Sequence, residues 1–278
     1  MLGPDDLLVT ASTLGHPPLP ELVEAARAGG FTGLSIWPHE TWLGARRDGL
    51  SVADMRSLLD DHGLVVNDVD ALVCHLPAAK ASSVFEGEAL MYEAGEALGA
   101  RYINVVMISE GEAPLDQMAE VFAGVAGRAA EHGLKAYLEF VPFMSVPDLR
   151  TAWQVVERSG CERTGIMVDT WHCHRGATSL DDLRAIPGER VLGTQVNDAP
   201  AESMDDPVIE TLHHRLVPGE GDIDLDGWLG VLHQIGSVAP LCAEIFSDEL
   251  LAWGSPRQIA RRVGDAMRAV RARARGAA

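Results

Sequence analysis

The sequence predicts a single (β/α)8 barrel domain that spans residues 1–278. Short apolar segments rich in β-branched residues alternate eight times with longer segments of helical periodicity. Glycine follows most of the helical segments, at the position where a left-handed residue ends a helix. No low-complexity linker divides the 278 residues, and this length suits one barrel of about 250 residues. Strands joined by helices run parallel, and eight such units close without a free edge.

The strands are identified in order by their branched and aromatic apolar residues. They are predicted at Leu7–Ser12, Gly33–Trp37, Leu64–Val69, Tyr102–Ile108, Leu134–Phe140, Thr164–Asp169, Val191–Val196 and Pro240–Phe246. An open doubly wound sheet is the main alternative. The junction after the first strand has no G-x-G-x-x-G sequence, which disfavours the dinucleotide-binding version of that sheet.

The helices between these strands are identified by their ends. They are predicted at Pro18–Ala28, Ser51–His62, Ser83–Leu98, Leu115–His132, Pro147–Ser159, Ser179–Ile186, Leu225–Ile235 and Pro256 to about Arg273. Ser51 and Asp54 form a capping-box pattern, Ser179 is a candidate N-cap, and Ser255 precedes Pro256 at the first helical position. Most of the other ends are marked by a following glycine: Gly29, Gly63, Gly99, Gly133, Gly160 and Gly236.

The composition of the chain argues against nucleic acid and membranes as partners. The chain has 22 basic and 41 acidic residues, for a formal charge of −19, and such a surface repels the phosphates of nucleic acid. No apolar run approaches the ~20 residues that cross a membrane. The first residues lack the basic and apolar regions of an export signal, so we expect a cytoplasmic protein. The four cysteines show no paired spacing, which favours free thiols.

Oxygen donors stand near the carboxyl ends of the last four predicted strands. They are Glu139, Asp169, Gln195 and Glu244. Because active sites of parallel barrels lie at this end, we expect these side chains to converge. Three converging carboxylates repel one another unless a cation is present, and hard oxygen donors suit Mg²⁺ or Mn²⁺. His172 nearby would also admit Co²⁺ or Zn²⁺. Taken singly, each acidic residue also fits a helix cap or a surface charge.

Four segments together resemble a known family. V-D-T-W-H at 168–172, Q-V-N-D at 195–198, H-H-R-L-V-P-G-E-G-D at 213–222 and A-E-I-F at 243–246 are similar to the xylose-isomerase-like superfamily of sugar isomerases and epimerases. The resemblance implies one divalent metal ion held by Glu139, Asp169, Gln195 and Glu244. It also implies that His172 faces the substrate and that Arg215 clamps a substrate oxygen. Many ketose epimerases have histidine where this chain has Gln195, and glutamine there resembles the branch that includes 3-dehydroshikimate dehydratases.

The reactions of this family begin with removal of a proton next to a carbonyl. The catalytic candidates are therefore Glu139 and Glu244, as acid/base groups that also bind metal, and His172, which would polarise a substrate oxygen. The candidates for substrate binding are Arg215, Trp37, Trp171 and Phe246, with ordinary packing as the alternative for each aromatic residue.

The leading interpretation is an isomerase or epimerase of a sugar-like polyhydroxy carbonyl compound. A dehydratase of the 3-dehydroshikimate type and a non-catalytic ligand-binding barrel remain alternatives. The sequence does not separate isomerisation, epimerisation and dehydration, and it leaves open whether the chain forms a homo-oligomer.

Overall fold

The computed structural model of the chain confirms the barrel. It describes residues 2–76 and 82–277, and the side chains of all of these except 82–86 and 277. Eight parallel strands form one closed sheet in chain order, with β8 returning to β1 through the pair Leu8 and Cys242. The strands are β1 Leu7–Thr10, β2 Gly33–Ile36, β3 Val65–Leu76, β4 Tyr102–Ser109, β5 Lys135–Glu139, β6 Gly165–Asp169, β7 Val191–Val196 and β8 Leu241–Ala243.

Helices surround the sheet. They are α1 Leu19–Gly29, α2 Leu43–Arg47, α3 Val52–Asp61, α4 Ser82–Leu98, α5 Leu115–Glu131, α6 Leu149–Arg158, α7 Thr170–Arg175, α8 Leu180–Arg184, α9 Pro207–His213, α10 Leu225–Gln234, α11 Asp248–Trp253 and α12 Pro256–Ala277. The Ser51 capping box is present, with Asp54 as its partner. Within the two described ranges, no helix combines the length and the apolar character needed to cross a bilayer.

Two strands differ clearly in length from the predictions. β3 continues to Leu76 instead of ending at Val69, because it keeps pairing with β4 beyond a register shift. β8 ends at Ala243 instead of Phe246. The backbone after Ala243 is engaged by a loop: the N–H of Arg215 donates to the carbonyl of Phe246 at 3.0 Å. Both differences change which side chains lie at the rim of the barrel.

Small residues in the strands let the barrel interior close around larger ones. A separate apolar cluster consists of Tyr102, Tyr137, Met167 and Leu192. A Cβ atom on Gly193 would lie 2.8 Å from Cε of Met167, closer than ordinary van der Waals contact. Tyr137 and Met167 stand two residues before the ends of β5 and β6, so alternation places the last residue of each strand on the same inner face.

Candidate active site

The four predicted metal ligands all lie at the carboxyl ends of their strands. Glu139 and Asp169 are the last residues of β5 and β6, Gln195 is in β7, and Glu244 follows β8 directly. None exposes more than 6% of its surface. Burial of so many polar groups is unfavourable unless each has a partner, so their hydrogen bonds define the site.

Glu139 and His172 form one side of the site. Nε2 of His172 lies 3.0 Å from Oε1 of Glu139. The other carboxylate oxygen of Glu139 accepts a hydrogen bond from Nδ2 of Asn104 at 2.5 Å. Nδ1 of His172 is buried and has no partner among the residues that the structure describes. The imidazole is therefore oriented by Glu139 and leaves one nitrogen for a ligand.

Asp169 is both a site residue and the N-cap of α7. Its Oδ1 accepts the backbone N–H of His172 at 3.0 Å, which places the histidine on the first turn of the helix. Its Oδ2 accepts from Nη1 of Arg215 at 2.9 Å and from Nδ2 of Asn197 at 3.1 Å. Burial alone would raise the pKa of Asp169, but Arg215, His172 and these hydrogen bonds hold it below its usual value.

Arg215 is buried rather than exposed on a loop. Its Nη1 donates to Asp169 and, at 3.1 Å, to Oε2 of Glu244. Nε and Nη2 donate to Thr211, and the guanidinium carbon lies 4.9 Å from the centre of the Phe246 ring. The loop is held on both sides, by backbone bridges between Asp198 and Leu216 and between His214 and Ser247. The guanidinium is thus a fixed positive charge between two carboxylates.

Glu244 and Gln195 form the opposite side of the site. Nε2 of Gln195 donates to Oε1 of Glu244 at 2.8 Å. Burial raises the pKa of Glu244 well above its usual range; Arg215 opposes this shift, while Asp70 and other carboxylates add to it. Oε1 of Gln195 is buried and lacks a partner in the described part of the chain, so it is an acceptor that a ligand could use.

Two functional candidates, Asp70 and Asn104, were missed by the sequence analysis. Asp70 in β3 accepts from Nδ2 of Asn104 at 2.7 Å and from Nε2 of Gln195 at 3.0 Å. Burial, with the charges of Glu139 and Asp68 beside it, raises the pKa of Asp70 well above its usual value. The available signal for Asp70 was the unusual polar run N-D-V-D at 67–70 in an apolar strand. It was not used because β3 was predicted to end at Val69, which left Asp70 outside the strand.

These contacts close into one cycle, which we call the polar ring. Every member is joined to the next by a hydrogen bond, and the His172–Asp169 link uses the histidine backbone. Its members, in order, are Asp70, Asn104, Glu139, His172, Asp169, Arg215, Glu244 and Gln195.

The aromatic candidates occupy two different environments. Trp37 and Phe246 are half-buried, with ring centres 5.7 Å apart, so both keep accessible surface beside the polar ring. Trp171 is fully buried and donates from Nε1 to Glu210 at 3.3 Å. Its ring also packs near the guanidinium of Arg215 at 5.6 Å. Burial favours a packing role for Trp171, and its predicted contact with substrate stays a prediction.

The donor set fits a divalent cation. Ligand atoms of Glu139, Asp169 and His172 lie within 4.8 Å of one another, and the partnerless Oε1 of Gln195 adds an oxygen. Carboxylates outnumber the one guanidinium of the polar ring, and a cation would offset this excess of negative charge. Two of these three residues, Glu139 and Asp169, are among the four predicted metal ligands. The third, His172, was predicted to contact the substrate.

The sequence also matches a family model. The model describes the xylose isomerase-like TIM barrel and matches residues 23–272. The chain belongs to this family. The resemblance seen in the strand-end motifs is therefore confirmed, together with the fold.

Relatives of this xylose isomerase-like barrel include enzymes of two kinds. A 3-dehydroshikimate dehydratase of Pseudomonas aeruginosa is 32% identical over 242 residues, which are 83% of this chain and 36% of that protein. An inosose isomerase of Bacillus velezensis is 28% identical over 167 residues, 57% of this chain and 58% of that protein. The chain thus spans about a third of the length of the dehydratase and under two thirds of the isomerase.

Solved structures share the fold of this xylose isomerase-like barrel. The IolI protein with a bound zinc atom has a TM-score of 0.86 and 21% identity, and the match covers 96% of this chain and 98% of that one. A D-allulose 3-epimerase from Methylomonas sp. in complex with D-allulose has a TM-score of 0.73 and 16% identity, over 98% and 99% of the chains. At these identities the likeness establishes the architecture.

Proposed function

We propose that the chain is a divalent-metal-dependent enzyme that removes the proton beside the carbonyl of a polyhydroxylated carbonyl compound. The observation that carries the proposal is the placement of two buried glutamates, Glu139 and Glu244, in one polar ring with His172 and Arg215. Glutamates buried in such a ring are suited to proton transfer, because their surroundings control which form they take. Sugar isomerisation and epimerisation both begin with this step.

The metal ligands in this proposal are Glu139, Asp169, Gln195 and Glu244, with His172 beside them. Mn²⁺ or Mg²⁺ suits the oxygen donors, and the histidine also admits Co²⁺ or Zn²⁺; the bound zinc of IolI is consistent with such a set. When bound, the ion would supply Lewis acidity at the substrate carbonyl.

The remaining steps belong to the side chains. One glutamate takes the proton from the carbon next to the carbonyl, and the other returns a proton to the opposite face in epimerisation. Return by the same glutamate to the former carbonyl carbon, with the proton of the adjacent hydroxyl passing to the former carbonyl oxygen, gives isomerisation instead. His172, oriented by Glu139, contacts a substrate oxygen through Nδ1, which donates a hydrogen bond when both ring nitrogens carry a hydrogen. Arg215 holds the carboxylates of Asp169 and Glu244 in place. Trp37 and Phe246 contact the apolar face of the substrate.

Isomerisation or epimerisation of a sugar-like compound is the leading reaction, and the match to inosose isomerases supports it. Dehydration is the second candidate. It is favoured by the higher identity, over more of this chain, to the 3-dehydroshikimate dehydratase, and by the resemblance at Gln195. In that case the same proton removal is followed by loss of a β-hydroxyl as water.

One experiment separates these possibilities. The purified chain, loaded with Mn²⁺, Mg²⁺, Co²⁺ or Zn²⁺ in turn, is incubated in D₂O with inosose or with 3-dehydroshikimate. An isomerase or epimerase places deuterium on the carbon beside the carbonyl, seen by NMR, whereas a dehydratase produces a new conjugated absorbance. A non-catalytic ligand-binding barrel does neither.

The matched controls are two glutamate variants. Glu244→Gln should lose the reaction, while Glu220→Gln, at a half-exposed pair with Arg262, should keep it. Absence of both signals with every metal, or full turnover by Glu244→Gln, would contradict the proposal. A cytoplasmic location and the absence of a nucleic-acid partner stay predictions from the sequence.

A further inference from the structure

Asp70 connects the two sides of the polar ring. Its Oδ1 accepts a hydrogen bond from Nδ2 of Asn104 at 2.7 Å, and its Oδ2 accepts one from Nε2 of Gln195 at 3.0 Å. Asp70 is only 5% exposed. A single buried carboxylate therefore holds two side-chain amides that come from different strands.

Each of these amides also holds one glutamate. Nδ2 of Asn104 donates to Glu139 at 2.5 Å, and Nε2 of Gln195 donates to Glu244 at 2.8 Å. An amide nitrogen carries two hydrogens, so both hydrogens of each are used by carboxylates. The reverse orientation would place an amide oxygen against two carboxylates, and the hydrogen-bond network therefore fixes which way each amide points.

The fixed orientation leaves two oxygens free. Oδ1 of Asn104 and Oε1 of Gln195 are both buried, and neither has a partner among the described residues. A buried acceptor without a partner is unfavourable, and a cation or a hydroxyl group would satisfy it. The hydrogen bonds that position the two glutamates thus also leave the amide oxygens of Asn104 and Gln195 available to accept from a ligand.

We infer that Asp70 is a positioning residue that locks Asn104 and Gln195, so that each amide holds one glutamate and presents its oxygen to the bound cation or to a substrate hydroxyl. This inference rests on the proposed function. Asp70 acts through the amides and through its own hydrogen bond with Glu244, and it is not itself a metal ligand or an acid/base group. Its effect reaches Glu139 and Glu244 together, because it is linked to both.

A matched control lies two residues away on the same strand. Asp68 is 2% exposed, but its partners are Oγ of Ser35 at 2.5 Å and Nδ2 of Asn67 at 2.8 Å. Within the described part of the chain, Asp68 forms no hydrogen bond with Asn104 or Gln195. Asp68→Asn and Asp70→Asn therefore remove the same buried group from β3. The new NH₂ group of Asp68→Asn can face the Ser35 hydroxyl, which accepts a hydrogen bond, whereas both partners of Asp70 are amide NH₂ groups, so Asp70→Asn must place one NH₂ group against another.

The test measures binding of Mn²⁺ alone, by calorimetry and by the electron paramagnetic resonance signal of the free ion. Loss of a group that orients metal ligands typically weakens metal binding by about 10- to 100-fold. We expect a weakening in this range for Asp70→Asn and less than about threefold for Asp68→Asn, which leaves the ligands oriented. Thermal unfolding in EDTA shows whether both variants fold.

Equal losses of Mn²⁺ affinity in the two variants would overturn the inference and leave the proposed function standing. Failure of the unaltered chain to bind any divalent ion would overturn both. If Asp70→Asn does not fold, Asn104→Leu replaces it, since this near-isosteric change cuts the link from Asp70 to Glu139. An unchanged Mn²⁺ affinity in Asn104→Leu would then contradict the inference.

Discussion

Replacing Arg215 with methionine tests the polar ring most directly. The side chain is 3% exposed, and among the described residues its Nη1 is the only Lys or Arg group that pairs with Asp169 and Glu244. Removing one partner of a buried ion pair leaves an uncompensated charge and costs about 3–5 kcal/mol. Methionine replaces the guanidinium with an uncharged, unbranched side chain, so most of this loss is electrostatic.

The free energy of unfolding, measured in urea with EDTA present, should fall by about 3–5 kcal/mol. For a chain of 278 residues, with an unfolding entropy of about 2.1 cal/mol/K per residue, that corresponds to a drop in Tm of about 5–9 °C. Arg158→Met is the control, because Arg158 pairs with Asp116 at 2.9 Å while both side chains are exposed. An exposed pair contributes about 0–1 kcal/mol. A loss no larger in Arg215→Met than in Arg158→Met would refute this account of the site.

The loss should also depend on pH in a defined direction. Without the guanidinium, the pKa values of Asp169 and Glu244 in the folded state rise, because the Arg215 charge that favoured their ionised forms is gone. The folded variant then binds more protons than the unfolded chain, so its stability falls as pH rises. The deficit relative to the unaltered chain should be small near the ordinary carboxyl pKa of about 4 and should grow toward neutral pH. A deficit that shrinks with rising pH would contradict this reasoning.

Three further predictions concern catalysis and packing. Glu244→Gln should slow deuterium exchange into the substrate at least about a hundredfold while circular dichroism stays unchanged; exchange at the normal rate would remove this residue from the mechanism. Trp37→Leu should raise KM about 2- to 10-fold with little change in kcat, because an aromatic contact contributes about 0.5–1.5 kcal/mol; an unchanged KM would place the substrate elsewhere. Gly165→Ala should lower stability by about 1–3 kcal/mol, since its Cβ would lie 2.2 Å from the carbonyl oxygen of Arg190. The control is Gly127→Ala in α5, where a Cβ meets nothing within 4 Å; its free energy of unfolding should rise by up to about 1 kcal/mol. If urea unfolding ranked the two variants in the opposite order, the close contact between Gly165 and the Arg190 carbonyl would not constrain the barrel.

Much of the fold could be predicted because its signals are local. Branched apolar runs and glycines at helix ends are visible in single segments, and the carboxyl ends of β5 to β8 could be aligned from them. Short helices were missed: α2, α7, α9 and α11 have five to seven residues, too few to show helical periodicity. Each follows a strand on the side of the barrel that carries the site.

The site was predicted less completely because its contacts join distant segments. Arg215 stands in a sequence rich in glycine and proline, and nothing local indicates that its loop is held between Asp198 and Ser247. Asp70 was overlooked because β3 was expected to end at Val69, the residue before it, whereas the strand continues to Leu76. The side chains of a polar ring are recognised only when the register of neighbouring strands is known.

The polar ring also divides the rim of the barrel into two unequal parts. All of its members come from β3 or later. The segments that follow β1 and β2 carry the half-buried pair of His16 and Trp37, whose ring centres are 5.1 Å apart. Neither of these two contributes a hydrogen bond to the cycle. Laboratory selection for activity on a new substrate should therefore first yield substitutions after β1 and β2. Contacts with the substrate can change there without altering the hydrogen bonds of the polar ring.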